Sequence, residues 1–140
     1  MAEGVVSHNL SVIVVSPARP IYEGDAAWVT APAVDGQLGI RPKHAALVAA
    51  LGAGPLRIGL DGGRVARYAV RGGFLKVGDN RVTILVDRAV TETDVDAAEA
   101  ERELEETKAE LQHPKTDEEF ADLLEARAWS EARIKLARSS

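Results

Sequence analysis

Two periodicities divide the chain. Up to about residue 90, apolar side chains fall in short alternating or continuous runs, at residues 10–15, 26–30, 56–60, 65–70, 74–77 and 82–86. Each run is bounded by turn-forming residues, the pattern of short strands. Asp61-Gly62-Gly63 separates the third run from the fourth, and Gly78-Asp79-Asn80 the fifth from the sixth, so two hairpins are expected there. Only residues 43–51 read as a short helical turn, confined by Pro42 and the glycines that follow. Several short strands with no long helix between them indicate a small antiparallel β-sandwich.

Beyond residue 90 the period changes. Ala97, Ala100, Leu104 and Leu111 recur at helical spacing, and so do Phe120, Leu124, Ala128 and Leu136, with Leu123 and Ile134 beside them. Thr93 with Asp96, and Thr116 with Glu119, read as capping boxes. The first helix should stop at His113-Pro114, because proline disfavours helical geometry in the residue before it; the second should run from Asp117 towards Arg138. The fold class expected is α+β: a sandwich over residues 1–90, then an antiparallel two-helix hairpin over 91–140. The helical stripes are narrow and alanine-rich, so the hairpin should be marginal and able to pack in more than one place.

Composition follows the same division. All 12 glycines lie at or before Gly78, and five of the six prolines at or before Pro55. Residues 1–90 carry 10 basic and 7 acidic side chains, a balance of +3; residues 91–140 carry 7 and 15, a balance of −8. The acidic total argues against a nucleic-acid partner. With no cysteine, disulfides, thiolate metal sites and a cysteine nucleophile are excluded. No apolar run is long enough to span a membrane, and Met1-Ala2-Glu3-Gly4 has neither the basic start nor the apolar core of an export signal.

Candidate chemistry is sparse. His8, His44 and His113 are scattered and not at metal-ligand spacing from one another. Local hydrogen bonding is the reading favoured for His44 over a catalytic base, and a helix-end role for His113. No Gly-x-Ser-x-Gly elbow occurs, and neither Gly62-Gly63 nor Gly72-Gly73 leads into Gly-Lys-Ser/Thr. The acidic run 99–106 reads as a solvated helix face. Residue by residue, this is not an enzyme. The distinctive segment is Gly36-Gln37-Leu38-Gly39-Ile40-Arg41-Pro42-Lys43-His44, a constrained loop leading into a short strand and suited to presenting residues to a partner.

That segment resembles the Gly-x-x-Gly-Ile-x-Pro-x-His signature of the epsilon subunit of F-type ATP synthases. The similarity continues through Gly72-Gly73-Phe74-Leu75-Lys76-Val77, through Asn80-Arg81-Val82-Thr83-Ile84-Leu85, and at the opening Leu10-Ser11-Val12-Ile13-Val14-Val15-Ser16-Pro17. It covers nearly the whole chain, in the order sandwich then hairpin. The resemblance implies a non-catalytic central-stalk rotor subunit without a cofactor. It helps couple proton flow to rotation, and its hairpin restrains ATP hydrolysis when extended towards the alpha and beta subunits. It further implies that Pro42 and His44 face the gamma subunit, and that Asp35, Gly36, Gln37 and Leu38 approach the c-subunit ring. Arg127, Arg133, Lys135 and Arg138 would meet an acidic segment of beta. The implied place is peripheral, on the cytoplasmic face of the bacterial plasma membrane and attached only through the complex; the missing transit segment leans bacterial rather than organellar.

One departure bears on nucleotides. Some members of that family bind ATP through Ile/Leu-Asp-x-x-Arg-Ala, and the matching stretch here is Val95-Asp96-Ala97-Ala98-Glu99-Ala100, with glutamate in place of arginine. A carboxylate beside phosphates repels them, so Asp96 is a doubtful nucleotide ligand and weak or absent ATP binding is expected. The alternatives are a nucleotide-sensing module whose hairpin closes over ATP, and, formally, a β-sandwich hydrolase using His44 with Asp35 or Asp25.

Overall fold

A computed structural model describes residues 9–139; His8 and the expectation drawn from residues 1–4 lie outside the described residues. Seven strands form one sheet: β1 (Leu10–Val15), β2 (Pro20–Ala26), β3 (Trp28–Ala33), β4 (Gly36–Ile40), β5 (Leu47–Gly59), β6 (Val65–Gly78) and β7 (Arg81–Thr91). Their order across it is β2-β1-β7-β6-β5-β3-β4. Every pairing is antiparallel except β1 with β7, which runs parallel.

The sheet becomes a sandwich because its three long strands change face midway. Along β6, Leu75 and Val77 point into the main core, whereas on the other side of Gly72-Gly73 the core residue is Val70, of opposite parity. The ladder skips Gly72 on both sides. Gly73 sits at φ +127°, and a Cβ there would lie 1.8 Å from the Leu85 carbonyl oxygen, so only glycine lets β6 bend so close to β7. β5 and β7 switch parity beside the same bend, and both halves then face one core containing Leu10, Val12, Val29, Ile40, Leu56, Ile58, Leu75, Val82 and Ile84.

The turns follow their residues. Asp79 and Asn80 both take positive φ, as a two-residue hairpin turn demands. The expected helical turn at 43–51 is replaced by a tight turn and a strand. Lys43 adopts φ 69°, and from Leu47 onward the chain pairs with β6, where Leu47 and Leu51 reach the core. Cross-strand burial outweighs local preference there.

Two helices complete the chain: α1 (Ala97–Leu111) and α2 (Asp117–Arg138). The Thr116 hydroxyl caps α2 by accepting from Glu119 N–H at 3.0 Å. At α1 the cap is Asp96, which accepts from Glu99 N–H at 3.0 Å. Thr93 is not the cap; its hydroxyl pairs with that of Thr91. α2 lies between α1 on one side and β5 and β6 on the other. It therefore needs two buried faces, not the single stripe expected. Leu123, Trp129, Ala132, Ile134 and Leu136 are buried, whereas Phe120 is 45% exposed.

Candidate functional site

Three regions could meet partners. The first is an uncovered stretch of sheet. Ala50 on β5 pairs with Phe74 on β6, which pairs with Leu85 on β7. Phe74 is 59% exposed, Leu85 50%, Val48 67% and Val34 63%. Val34 is held beside Ala50 by a 3.0 Å hydrogen bond from its N–H to the Ala50 carbonyl. Alternation puts these side chains outward because Leu75, Ile84 and Val86 point inward. Scattered exposed apolar residues are ordinary; a row across adjacent strands marks an interface. The alternating runs contained this signal, but nothing in them told which face of each strand would stay uncovered.

The second region flanks β4. Asp35, Gly36 and Gln37 are exposed and Leu38 half-buried in the turn and first residues of the β3–β4 hairpin. The hairpin is on the sheet edge, so these residues project without a strand beyond them. Past the other end of β4 the chain turns through Pro42, Lys43 and His44. Lys43 N–H donates to Asn80 Oδ1 and His44 N–H to the Arg41 carbonyl at 3.1 Å. Asn80 also accepts from Ser11 N–H through its carbonyl at 2.8 Å. The left-handed Lys43 is thus pinned to the β6–β7 turn. His44 is half-buried, with Nδ1 2.7 Å from the Ala45 carbonyl. Among the described residues neither Asp35 nor Asp25 hydrogen-bonds to His44.

The third region is the hairpin and what holds it. Arg133 is 4% exposed, between α1 and α2. It donates to Glu103 Oε1 at 2.6 Å and Ser130 Oγ at 3.2 Å, and Glu99 lies 3.6 Å away. Its guanidinium also sits 4.9 Å from the Trp129 ring centroid, with Arg88 of β7 at 5.1 Å. The Arg133 hydrogen bond holds the Glu103 carboxyl below its ordinary range, against the opposing effect of burial. Trp129 packs with Ala132 and Leu136 against Ala69, Ala53, Val90 and Val95. Its indole N–H is buried without an acceptor among the described residues. On the sheet side Arg71 binds Glu125 at 3.0 Å.

The four basic positions expected to act together do not stand alike. Arg133 is consumed inside the hairpin, Arg127 is half-buried, and Lys135 and Arg138 are exposed, the latter 3.6 Å from Glu101. Asp96 is occupied as the α1 cap, and Glu99 extends towards Arg133. Arg102 is exposed on α1. Trp129 lies outside the stripe Phe120, Leu124, Ala128 and Leu136; its spacing to Arg133, four residues later, is the available signal.

Comparison with known proteins places these features. The family described as "ATP synthase, Delta/Epsilon chain, beta-sandwich domain" matches residues 9–92. The ATP synthase epsilon chain of Neisseria meningitidis serogroup C is 35% identical over 127 residues, covering 90% of this chain and 91% of that one. That of Synechococcus is 34% identical over 134 residues, covering 94% and 98%. Among solved structures, a chain of the Euglena gracilis mitochondrial ATP synthase (OSCP/F1/c-ring) aligns with TM-score 0.77 at 24% identity, covering 95% of this chain and 82% of that one. A chain of the Tetrahymena thermophila mitochondrial ATP synthase central stalk and c-ring aligns with TM-score 0.64 at 21% identity, covering 90% and 94%. At these identities the structural likeness speaks for the fold alone.

Proposed function

The chain belongs to the ATP synthase epsilon family, and from that premise we propose that it is a non-catalytic rotor subunit, anchored by its sandwich and braked by its hairpin. The observation that carries the reading is the uncovered row Val48, Phe74 and Leu85 on a sheet face that the hairpin leaves free. In this reading the row and the pinned Pro42–His44 turn dock on the gamma subunit. The edge turn Asp35, Gly36, Gln37 and Leu38 meets the c-subunit ring. An apolar centre with a polar rim is how stable interfaces are built.

The division into a binding sandwich (1–90) and a regulatory hairpin (91–140) is supported by the change of element type between Thr91 and Ala97. The hairpin here is folded onto the sandwich. Raising it would bring Arg127, Lys135 and Arg138 within reach of the alpha and beta subunits, and Arg133 as well once α1 and α2 part, because its carboxylates Glu99 and Glu103 lie on α1. Such a state restrains ATP hydrolysis. Among the described residues no helix is long and apolar enough to cross a membrane, and we place the protein peripherally, at the cytoplasmic face of a bacterial membrane, through its complex.

A nucleotide-sensing role is less well supported, because Asp96 is committed to the helix cap and Glu99 presents negative charge where phosphates would lie. Titration calorimetry with ATP decides: tight binding lost in Asp96→Ala would favour that role instead. The main reading is tested by ATP hydrolysis of an alpha-beta-gamma complex alone, with the full chain, and with a chain ending at Val90. We expect both chains to bind and only the full one to slow hydrolysis. Failure of both to bind a competent complex would remove the reading.

A further inference from the structure

The uncovered face of the sandwich carries charge beside its apolar row, and the ladder register shows how the two are arranged. Ala50, Phe74, Leu85 and Val15 stand opposite one another across four strands. One row nearer the β6–β7 turn come Val48, Lys76, Thr83, Ile13 and, on β2, Glu23. Arg81, Ser11 and Asp25 form the row beyond. All share the outward parity, because Val12, Val14, Leu75, Val77, Val82 and Ile84 between them are buried.

The charges on this face are sorted by sign. Lys76 and Arg81 stand on the central strands β6 and β7, Glu23 and Asp25 on the edge strand β2, and all four are exposed. None has an ion-pair partner among the described residues. At a strand spacing of about 4.8 Å, Arg81 and Asp25 are roughly 10 Å apart and Lys76 and Glu23 roughly 14 Å. Both separations exceed the screening length of about 8 Å at physiological salt, so the two sides keep distinct potentials. Thr83, Ile13 and Ser11, which stand between them, carry no charge. Arg41 and Lys43, exposed in the turn pinned to Asn80, lie near the positive side, with Asp79 as a carboxylate at the turn tip.

We propose that this face is a bipolar dock: Lys76 and Arg81 take carboxylates, and Glu23 and Asp25 take basic side chains, of the gamma-subunit surface seated on the apolar row. The inference rests on the reading that gamma docks there and adds the chemistry by which gamma is recognised and oriented. Apolar contact with Val48, Phe74 and Leu85 tolerates rotation in the plane of the sheet, whereas opposite poles do not. A partner turned end for end would set like charge against like. Complementarity of this kind acts on the rate of encounter and on rejection of wrong orientations more than on holding the finished complex. Charge on the edge strand β2 also discourages pairing with stray strands, but that role does not govern how fast gamma associates.

The test measures binding of the full chain to an alpha-beta-gamma complex by surface kinetics at low and high salt. The principal variant, Glu23→Lys/Asp25→Lys/Lys76→Glu/Arg81→Glu, inverts the poles and leaves the net charge unchanged. We expect its association at low salt to slow by about tenfold or more, and its dissociation to change by less than about threefold. High salt should remove most of the difference. Should that variant misfold by circular dichroism, Glu23→Gln/Asp25→Asn/Lys76→Gln/Arg81→Gln removes the poles, and its association should lose most of its salt dependence. Association indifferent to inversion and to neutralisation, in folded chains, would overturn the inference and leave gamma docking standing. No binding by the unmodified chain would overturn both. Self-association tighter than binding to gamma, and surviving inversion because both copies invert together, would assign the face to a second copy and overturn the proposal.

Discussion

The Arg133 cluster makes an asymmetric prediction. Its guanidinium is buried, with a side chain 5% exposed, while its partners Glu99 and Glu103 are 47% and 37% exposed. Removing the cation leaves two carboxylates that water can solvate. Removing their charges leaves a cation that water cannot reach, already stacked on a ring that a second guanidinium also approaches. Breaking a fully buried pair from one side typically costs 3–5 kcal/mol. Half-exposed partners reduce that, so Glu99→Gln/Glu103→Gln should weaken the packing of α2 on α1 by about 2–4 kcal/mol. Arg133→Met keeps the apolar stem against Trp129 and should cost about 1 kcal/mol or less. The assay is urea-induced opening of the hairpin, α2 from α1, followed by Trp129 fluorescence in a Trp28→Phe background, which leaves a single reporter. The reasoning fails if Arg133→Met costs as much as the double glutamine variant, or if neither shifts the midpoint.

Three further outcomes follow from other parts of the molecule. Phe74→Asp should leave stability nearly unchanged, because the ring is largely exposed, yet weaken binding to a gamma subunit by about tenfold or more, measured by surface binding kinetics. Gly73→Ala should destabilise the sandwich by about 3 kcal/mol or more in chemical denaturation, since its Cβ would collide with the Leu85 carbonyl at a left-handed backbone. Glu103 has a lowered carboxyl pKa in the folded chain, so its contribution is complete above the ordinary carboxylate value, about 4.3, and is lost as pH falls through the folded value. Opening of the hairpin, read by the same fluorescence, should therefore be flat from pH 7 to 5 and appear only below that range, with the step weakened in Glu103→Gln.

Much of the architecture was legible because it rests on local patterns. The first strand, both helices and the Thr116 cap were readable from spacing and capping residues. What escaped depended on distant partners. The polar stretch Pro20–Ala26 becomes strand β2 by pairing with β1 at the sheet edge, where an apolar face is not required. Residues 43–51 had adequate helical composition, and only the complementary edge of β6 turns them into strand. The cap moved from Thr93 to Asp96 because both fit the same short motif, and the chain leaving β7 decides between them. At the candidate sites, sequence could rank Arg127, Arg133, Lys135 and Arg138 only as equivalent helix-face cations. Their separation into a buried latch, a half-buried residue and two exposed charges exists only once α2 is pressed between α1 and the sheet.

That arrangement also explains how a hairpin can be held and yet be releasable. Against the sheet, α2 offers Ala132 beside Ala69 and Ala53, with Trp129 and Leu136 as large apolar side chains in the same cluster. Burying Trp129 supplies most of the apolar gain, but it leaves the indole N–H without an acceptor, a cost of about 1–3 kcal/mol for a buried donor. The docked state thus contains its own partial penalty. Across the same interface the ion pair of Arg71 with Glu125 adds to the holding energy, and its worth falls as water or a competing partner reaches it. Arg133, on two glutamates of α1, holds the hairpin itself together. α1 packs chiefly on α2, so it gains little from the sandwich directly. A surface offering an acceptor to the Trp129 indole would satisfy a donor that docking leaves unpaired among the described residues. Release then exchanges one set of polar partners for another, leaving the main core intact, which is the energetic form a reversible brake requires.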